Sequence, residues 1–158
     1  MTRRQRGISL VIGIAALCLA LTALGQGDKY NIRLAPAPAL NSRGAGITVT
    51  AASVAGSGAG TATLSGKKLT VNATFEKLAS PATAAHLFLG PAMGARDYSA
   101  KPLYDLMVTK NGDGKSGTIS GTVELTSEQL DAFKKGRLYL QLHSEGVPSG
   151  HLVSWFVK

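Results

Sequence analysis

Apolar residues recur at every second position in short stretches along roughly the last two-thirds of the chain. The alternation is clearest at 68–75 and 137–143, where one side of an extended backbone would be apolar and the other polar. This pattern is typical of a β-strand that buries one face. Weaker alternation lies at 47–54, 58–65, 84–89, 103–109, 118–125 and 151–157. The sequence therefore predicts an all-β domain, a Greek-key-like sandwich or barrel of about eight strands.

One short helix is predicted within this strand series. Thr126 is a good N-cap, and Gln129, three residues later, completes a capping box. Gly136 follows Lys134 and Lys135 and provides the residue that ends a helix. A single helix of this length connects two strands and does not change the fold class.

The N-terminus has the features of a targeting segment. Three arginines lie within the first six residues, and residues 8–24 are almost wholly apolar. Positive charge stays on the cytoplasmic side while an apolar run enters the membrane. Residues 1–25 are therefore interpreted as a signal peptide cut near Gly25, or as an N-terminal membrane anchor that is retained. In both cases the rest of the chain is exported, so the protein is periplasmic, secreted or anchored on the outer side of the cytoplasmic membrane.

The stretch at 26–45 is rich in Pro and Ala and is interpreted as a linker, because X-Pro units favour extended backbone. Residues 46–158 then form one β-domain, which is long enough to bury a single core. Cys18, in the apolar run, is the only cysteine, so the folded part has no disulfide.

The formal net charge of +8 raises the possibility of a polyanionic partner. The charges are spread along the chain, with small clusters at Lys67-Lys68 and at 134–137. Because no aromatic residues are interleaved with these clusters, we interpret them as a solvated surface and expect no nucleic-acid binding.

Three segments carry a resemblance to a known family. Residues 60–75 are similar to the opening strand pair of the CHRD (chordin) domain, LASPATAAHLFLGPA at 78–92 resembles a second conserved segment, and GRLYLQLHSEGVPSG at 136–150 resembles a third. The resemblance implies a β-sandwich or barrel of immunoglobulin-like or superoxide-dismutase-like character in a secreted or envelope protein. It implies no enzymatic activity. Phe88 replaces a histidine of the family pattern, and the chain ends in an unusually apolar stretch at 151–157.

His86 and His143 are the candidate metal ligands. Both lie in predicted strands, and two imidazoles on neighbouring strands can bind copper or zinc. His151 is a weaker third candidate, because its spacing from His143 matches no metal motif. The alternative is that His86 and His143 are structural residues that hydrogen-bond to backbone carbonyls, since metal sites normally need three or four ligands.

No nucleophile motif stands out in the sequence, and the carboxylates are scattered. We therefore expect a non-catalytic binding or scaffolding module without a cofactor, with a protein partner in the envelope or extracellular space. Contact with the membrane is expected through the N-terminal segment if that segment stays uncleaved. The alternative function is a small copper- or zinc-binding protein that uses His86 and His143.

Overall fold

The computed structural model describes residues 27–37, 39–40, 47–48 and 51–158. Their strands are β1 Asp28–Pro36, β2 Ala39–Leu40, β3 Ile47–Thr48, β4 Ser57–Ser65, β5 Lys68–Glu76, β6 Ala82–Leu89, β7 Tyr104–Asn111, β8 Ser116–Glu124, β9 Leu138–Ser144 and β10 Val147–Trp155. A 3-10 helix spans Ala52–Val54, and the helix α1 spans Ser127–Lys134.

Eight of these strands close into an antiparallel barrel in the order β1-β10-β9-β6-β7-β8-β5-β4, and β4 pairs back with β1. The connection from β5 to β6 crosses over, so that β5 lies beside β8 in the Greek-key manner. The predicted all-β class is confirmed, and of the two architectures that it allowed the structure has the barrel. An immunoglobulin-like or superoxide-dismutase-like character stays a prediction.

The first strand of the barrel corrects the prediction of a linker at 26–45. Asp28–Pro36 pairs along its whole length with β4 or β10. Tyr30, Ile32 and Leu34 alternate with polar residues and are buried in the core. Burial of these three side chains outweighs the extended, solvated conformation that the neighbouring prolines favour.

The predicted strand at 47–54 is also corrected, because none of its described residues belongs to a barrel strand. Ile47–Thr48 pairs with Ala39–Leu40 in a separate two-stranded sheet, and Ala52–Val54 turns into the 3-10 helix. The barrel still has eight strands because β1 takes the place that the sequence pattern gave to this stretch.

Strand alternation places the core inside the barrel, as the pattern at 68–75 predicts. Every second residue of β5 is buried, and the largest side chains that are almost fully buried come from strands all round the barrel. They include Ile32, Leu69, Phe75, Leu87, Ile119, Leu140, Leu142 and Leu152. A barrel of this size has an interior filled by side chains rather than by solvent.

The helix α1 closes one end of the barrel, and the predicted capping box is confirmed. The Thr126 hydroxyl accepts from the Gln129 backbone N–H at 3.2 Å, and the Gln129 side chain accepts from the Thr126 N–H at 2.9 Å. Phe133 is buried against Tyr30 of β1, with ring centroids 4.7 Å apart. The helix therefore joins the core through its last turn.

Residues 1–26 lie outside the described residues, so the signal peptide, its cleavage and the alternative anchor stay predictions. Within the described ranges, no helix combines the length and the apolar character needed to span a bilayer.

Candidate functional site

A pocket of about 480 Å³ lies on the outer face of β6 and β9. Its floor comes from alternate residues of these strands, and its sides come from residues 96–102 and from Pro148 and Ser149 at the start of β10. The alternation that sends Leu87, Leu140 and Leu142 into the core sends their neighbours into this pocket. The two faces of β6 and β9 therefore contribute to the core on one side and to the pocket on the other.

Aromatic rings form the inner wall of the pocket. Phe88 and Tyr139 stack with centroids 5.4 Å apart and pack with Val153 in a small apolar cluster outside the main core. The Tyr139 hydroxyl reaches the carbonyl of Asp97 at 3.4 Å. Burial raises the pKa of Tyr139, which keeps this hydroxyl protonated as a donor.

The structure brings the two predicted histidines together. In the β6–β9 register His86 faces Gln141 and Ala84 faces His143, so the imidazoles are diagonal neighbours. Their ring centroids lie 5.1 Å apart. His86 Nδ1 lies 2.8 Å from Asp105 Oδ1, on the β7 residue directly opposite it.

His143 is held by the first residues of β10. Its Nδ1–H donates to the carbonyl of Pro148 at 2.8 Å. Burial lowers the pKa of His143, the nearby His86 and Arg96 lower it further, and the Pro148 hydrogen bond opposes them. The imidazole is therefore neutral around pH 7 and presents hydrogen-bonding nitrogen rather than charge.

Arg96 is the cationic group of the pocket, and its geometry is fixed by neighbours. Its Nη1 donates to Gln141 Oε1 at 3.2 Å, and its Nη2 donates to the Tyr98 hydroxyl at 2.7 Å. The guanidinium also lies 4.5 Å from the Tyr98 ring centroid. This network joins residues 96–98, which lie between β6 and β7, to strand β9.

Gln141 links this network to the first residues of β10. Its side chain is almost fully buried, and its Nε2 donates to the carbonyl of Ser149 at 3.1 Å. Gly150 has a φ of +115°, and a Cβ there would overlap the Gln141 amide. Only glycine both adopts this backbone conformation readily and leaves room for the amide.

The donor set for a metal is incomplete in the part of the chain that the structure describes. Those residues contain no group of three or more His, Cys, Asp or Glu side chains that could hold a metal ion. His151 does not join His86 and His143, because it is fully buried and its ring nitrogens contact Ser144 Oγ at 2.8 Å and the Ala55 carbonyl at 2.7 Å. The structure thus supports the close approach of His86 and His143 but gives the copper or zinc hypothesis no third ligand.

A comparison with protein-family models shows the family to which this chain belongs. The family model described as CHRD domain matches residues 40–152. The chain belongs to the CHRD domain family. No curated protein and no solved structure matches it.

All pocket residues lie within the part of the chain that matches the CHRD domain. Strand β1 lies before the matched range, although it closes the barrel. The structured unit of this CHRD protein therefore extends at least to Asp28 on its N-terminal side.

Sequence reasoning missed Arg96, Asp105 and Gln141. Arg96 belongs to the irregular stretch after β6, where no periodicity indicates which way a side chain faces. Asp105 meets His86 only through the register of β6 against β7. Gln141 was detectable, because it shares the polar side of β9 with the predicted His143.

Proposed function

We propose that this CHRD domain is a non-catalytic binding module that works outside the cytoplasm and takes its ligand in the pocket on β6 and β9. The predicted targeting segment supports the location, and the family, which the resemblance associates with secreted and envelope proteins, supports the class of function. The pocket supports the position of the binding site.

The observation that carries the proposal is the fixed arrangement of polar groups in a concave site. Arg96, Gln141 and His143 are held by hydrogen bonds to one another or to backbone carbonyls. A volume of about 480 Å³ falls in the range of small-molecule and side-chain pockets, roughly 300–1,000 Å³. Groups that are already in place lose little entropy when a ligand binds.

The chemistry of the lining favours a ligand that carries both oxygen acceptors and a hydrogen-bond donor. The positive charge of Arg96 favours carbonyl or carboxylate oxygens, whereas Nε2 of the neutral His143, whose Nδ1–H is bound to the Pro148 carbonyl, accepts a hydrogen bond from a hydroxyl or N–H group. The Phe88 and Tyr139 rings add an apolar wall against which a flat or aliphatic group can pack. A polar peptide segment or a glycan end group fits this combination.

The His86–Asp105 pair is the arrangement that most resembles an acid–base pair, and its setting favours a positioning role. The Asp105 side chain is 86 % exposed, so water screens its charge. In hydrolytic triads the carboxylate that orients the histidine is buried. We therefore assign His86 to shaping the pocket rather than to proton transfer.

Photo-crosslinking in intact cells tests the proposal. Tyr98 lines the pocket and is 46 % exposed, so a photoreactive phenylalanine analogue at this position samples the pocket opening. Met107, on β7 and 68 % exposed, is the matched control position outside the pocket. We expect a discrete adduct from position 98 and none from position 107.

The adduct from position 98 should be lost when Arg96→Ala is introduced, because the guanidinium organises the pocket. Identical adducts from both positions, or an adduct that Arg96→Ala leaves unchanged, would contradict the proposed site. Turnover of the captured molecule by the purified full chain would show an enzyme instead.

A further inference from the structure

A second concave surface lies at the end of the barrel that α1 closes, and the contact between Tyr139 and Trp155, with ring centroids 5.6 Å apart, separates it from the pocket on β6 and β9. At this end β1 begins, β10 ends and α1 runs into β9. A groove of about 780 Å³ lies here, and we call it the terminal groove. Its apolar lining comprises Tyr30, Met93, Phe133, Trp155, Phe156 and Val157.

The terminal groove exposes apolar side chains to water. Met93 is 75 % exposed and Val157 is 60 % exposed, and both belong to its lining. Beneath them Phe133 and Phe156 pack with ring centroids 5.2 Å apart. An exposed apolar patch bordered by polar residues is typical of an interaction site.

The rim of the terminal groove is basic. Lys134, Lys135 and Lys158 line it, and Lys158 also forms a 3.0 Å ion pair with Asp28. The turn between β4 and β5 brings Lys67 and Lys68 to the same end, where Lys67 Nζ donates to Ser127 Oγ of α1 at 2.9 Å. Topology thus gathers at one end two basic clusters that lie far apart in the sequence.

Acidic residues only partly balance this charge. Glu124, Glu128 and Asp131 lie on or next to α1, in addition to Asp28. At the opposite end Lys77 lies 3.7 Å from Glu76, and Lys115 lies 3.7 Å from Asp113. The excess of positive charge is local to the terminal groove, whose lining contains three lysines and one acidic residue, Asp28.

The position of the chain's start relates this end to the membrane. Leu24 is the last residue of the apolar run, and Asp28, at the groove, follows four residues later. Four residues span at most about 14 Å. In the form of the protein that retains residues 1–25 as the predicted anchor, this short reach keeps the terminal groove close to the headgroups.

We propose that the terminal groove and its lysines dock on the anionic lipid headgroups of a membrane. The lysines attract the headgroups, and Met93 and Val157 enter the boundary between the headgroups and the acyl chains. The barrel would then stand with the pocket on β6 and β9 to one side, open to solvent. This inference is independent of the ligand of that pocket.

Trp155 provides an intrinsic probe of the docking, because it lines the terminal groove and is the only tryptophan of the chain. The full chain is reconstituted in phosphatidylcholine vesicles with or without phosphatidylglycerol, each containing a lipid spin-labelled at its headgroup. We expect quenching of Trp155 fluorescence that requires phosphatidylglycerol. Added salt should weaken it, because the Debye length falls from about 10 Å at 0.1 M to about 3 Å at 1 M.

Neutralising Lys134 and Lys135 to Gln should weaken docking about 25-fold, taking roughly fivefold for each basic residue at an anionic surface. The matched control neutralises Lys110 and Lys115, which are exposed at the opposite end. The control should quench like the wild type. Thermal unfolding of both double variants shows that the exposed substitutions leave the fold intact.

Three outcomes would overturn the proposal. Equal quenching in both kinds of vesicle would show that the apolar run alone brings Trp155 to the surface. Unchanged quenching after Lys134→Gln with Lys135→Gln would remove the assigned role of the basic rim. Quenching that rises with the number of chains per vesicle and ignores lipid charge would assign the groove to a second copy of the chain.

Discussion

Truncation of Ile32 to Ala tests whether the first strand is an integral part of the barrel. Ile32 is 1 % exposed and points into the core from β1. Its cross-strand partner is Gly60 of β4, which has no side chain to move into the vacated space. The cavity should therefore persist, and persistent cavities make large-to-small substitutions costly.

The expected loss is about 3–4 kcal/mol of the free energy of unfolding, within the range of about 2–5 kcal/mol known for Ile→Ala in cores. With a urea m-value of about 2 kcal/mol/M, the midpoint should fall by roughly 1.5–2 M while m stays unchanged. Fluorescence of Trp155 follows the transition. Asn31→Ala is the matched control, because Asn31 is exposed on the same strand and its loss should change stability by less than about 0.5 kcal/mol. Equal midpoints for the two variants would refute the packing described for β1.

Three further predictions use the same urea assay. Thr126→Ala removes the N-cap of α1 and should cost about 1 kcal/mol; an unchanged midpoint would mean that the helix does not depend on its cap. Gly60→Ala places a Cβ against the Asn72 carbonyl and should cost about 1–3 kcal/mol, whereas Ala59→Ser, on the exposed neighbour, should be nearly neutral. Because burial lowers the pKa of His143, the unfolded chain takes up the proton first, and stability should fall as the pH decreases below about 6.5. His143→Gln should remove that part of the pH dependence, and an unaltered slope would contradict the assigned cause.

The alternation of apolar and polar residues predicted the strands whose two faces differ most in polarity. β5 and β9 lie where the pattern placed them, and α1 has the predicted cap and capping box. The pattern failed at β1, where Ala and Pro in the second half of the segment hid the alternation of Tyr30, Ile32 and Leu34. The alternation is present in the sequence, but the Pro- and Ala-rich composition of 26–45 as a whole favours a linker.

The site was less predictable than the fold. His86 and His143 were singled out as residues of neighbouring strands, and the β6–β9 register does bring them together. The remainder depends on long-range geometry: Arg96 reaches Gln141 across 45 positions of sequence, and Asp105 faces His86 only after β7 has paired. Local sequence patterns cannot predict contacts that depend on how segments distant in the sequence pair and pack.

The pairing of the first strand with the last has a consequence for biogenesis. β1 finds part of its hydrogen bonding in Leu152 and Val153 of β10, which follows all the other barrel strands in chain order and is therefore synthesised after them. In a nascent or partly translocated chain β1 therefore lacks its β10 partner, and the barrel cannot close. For the export that residues 1–25 predict, we expect the barrel to close only after β10 has crossed the membrane, so that the chain stays unfolded during transit.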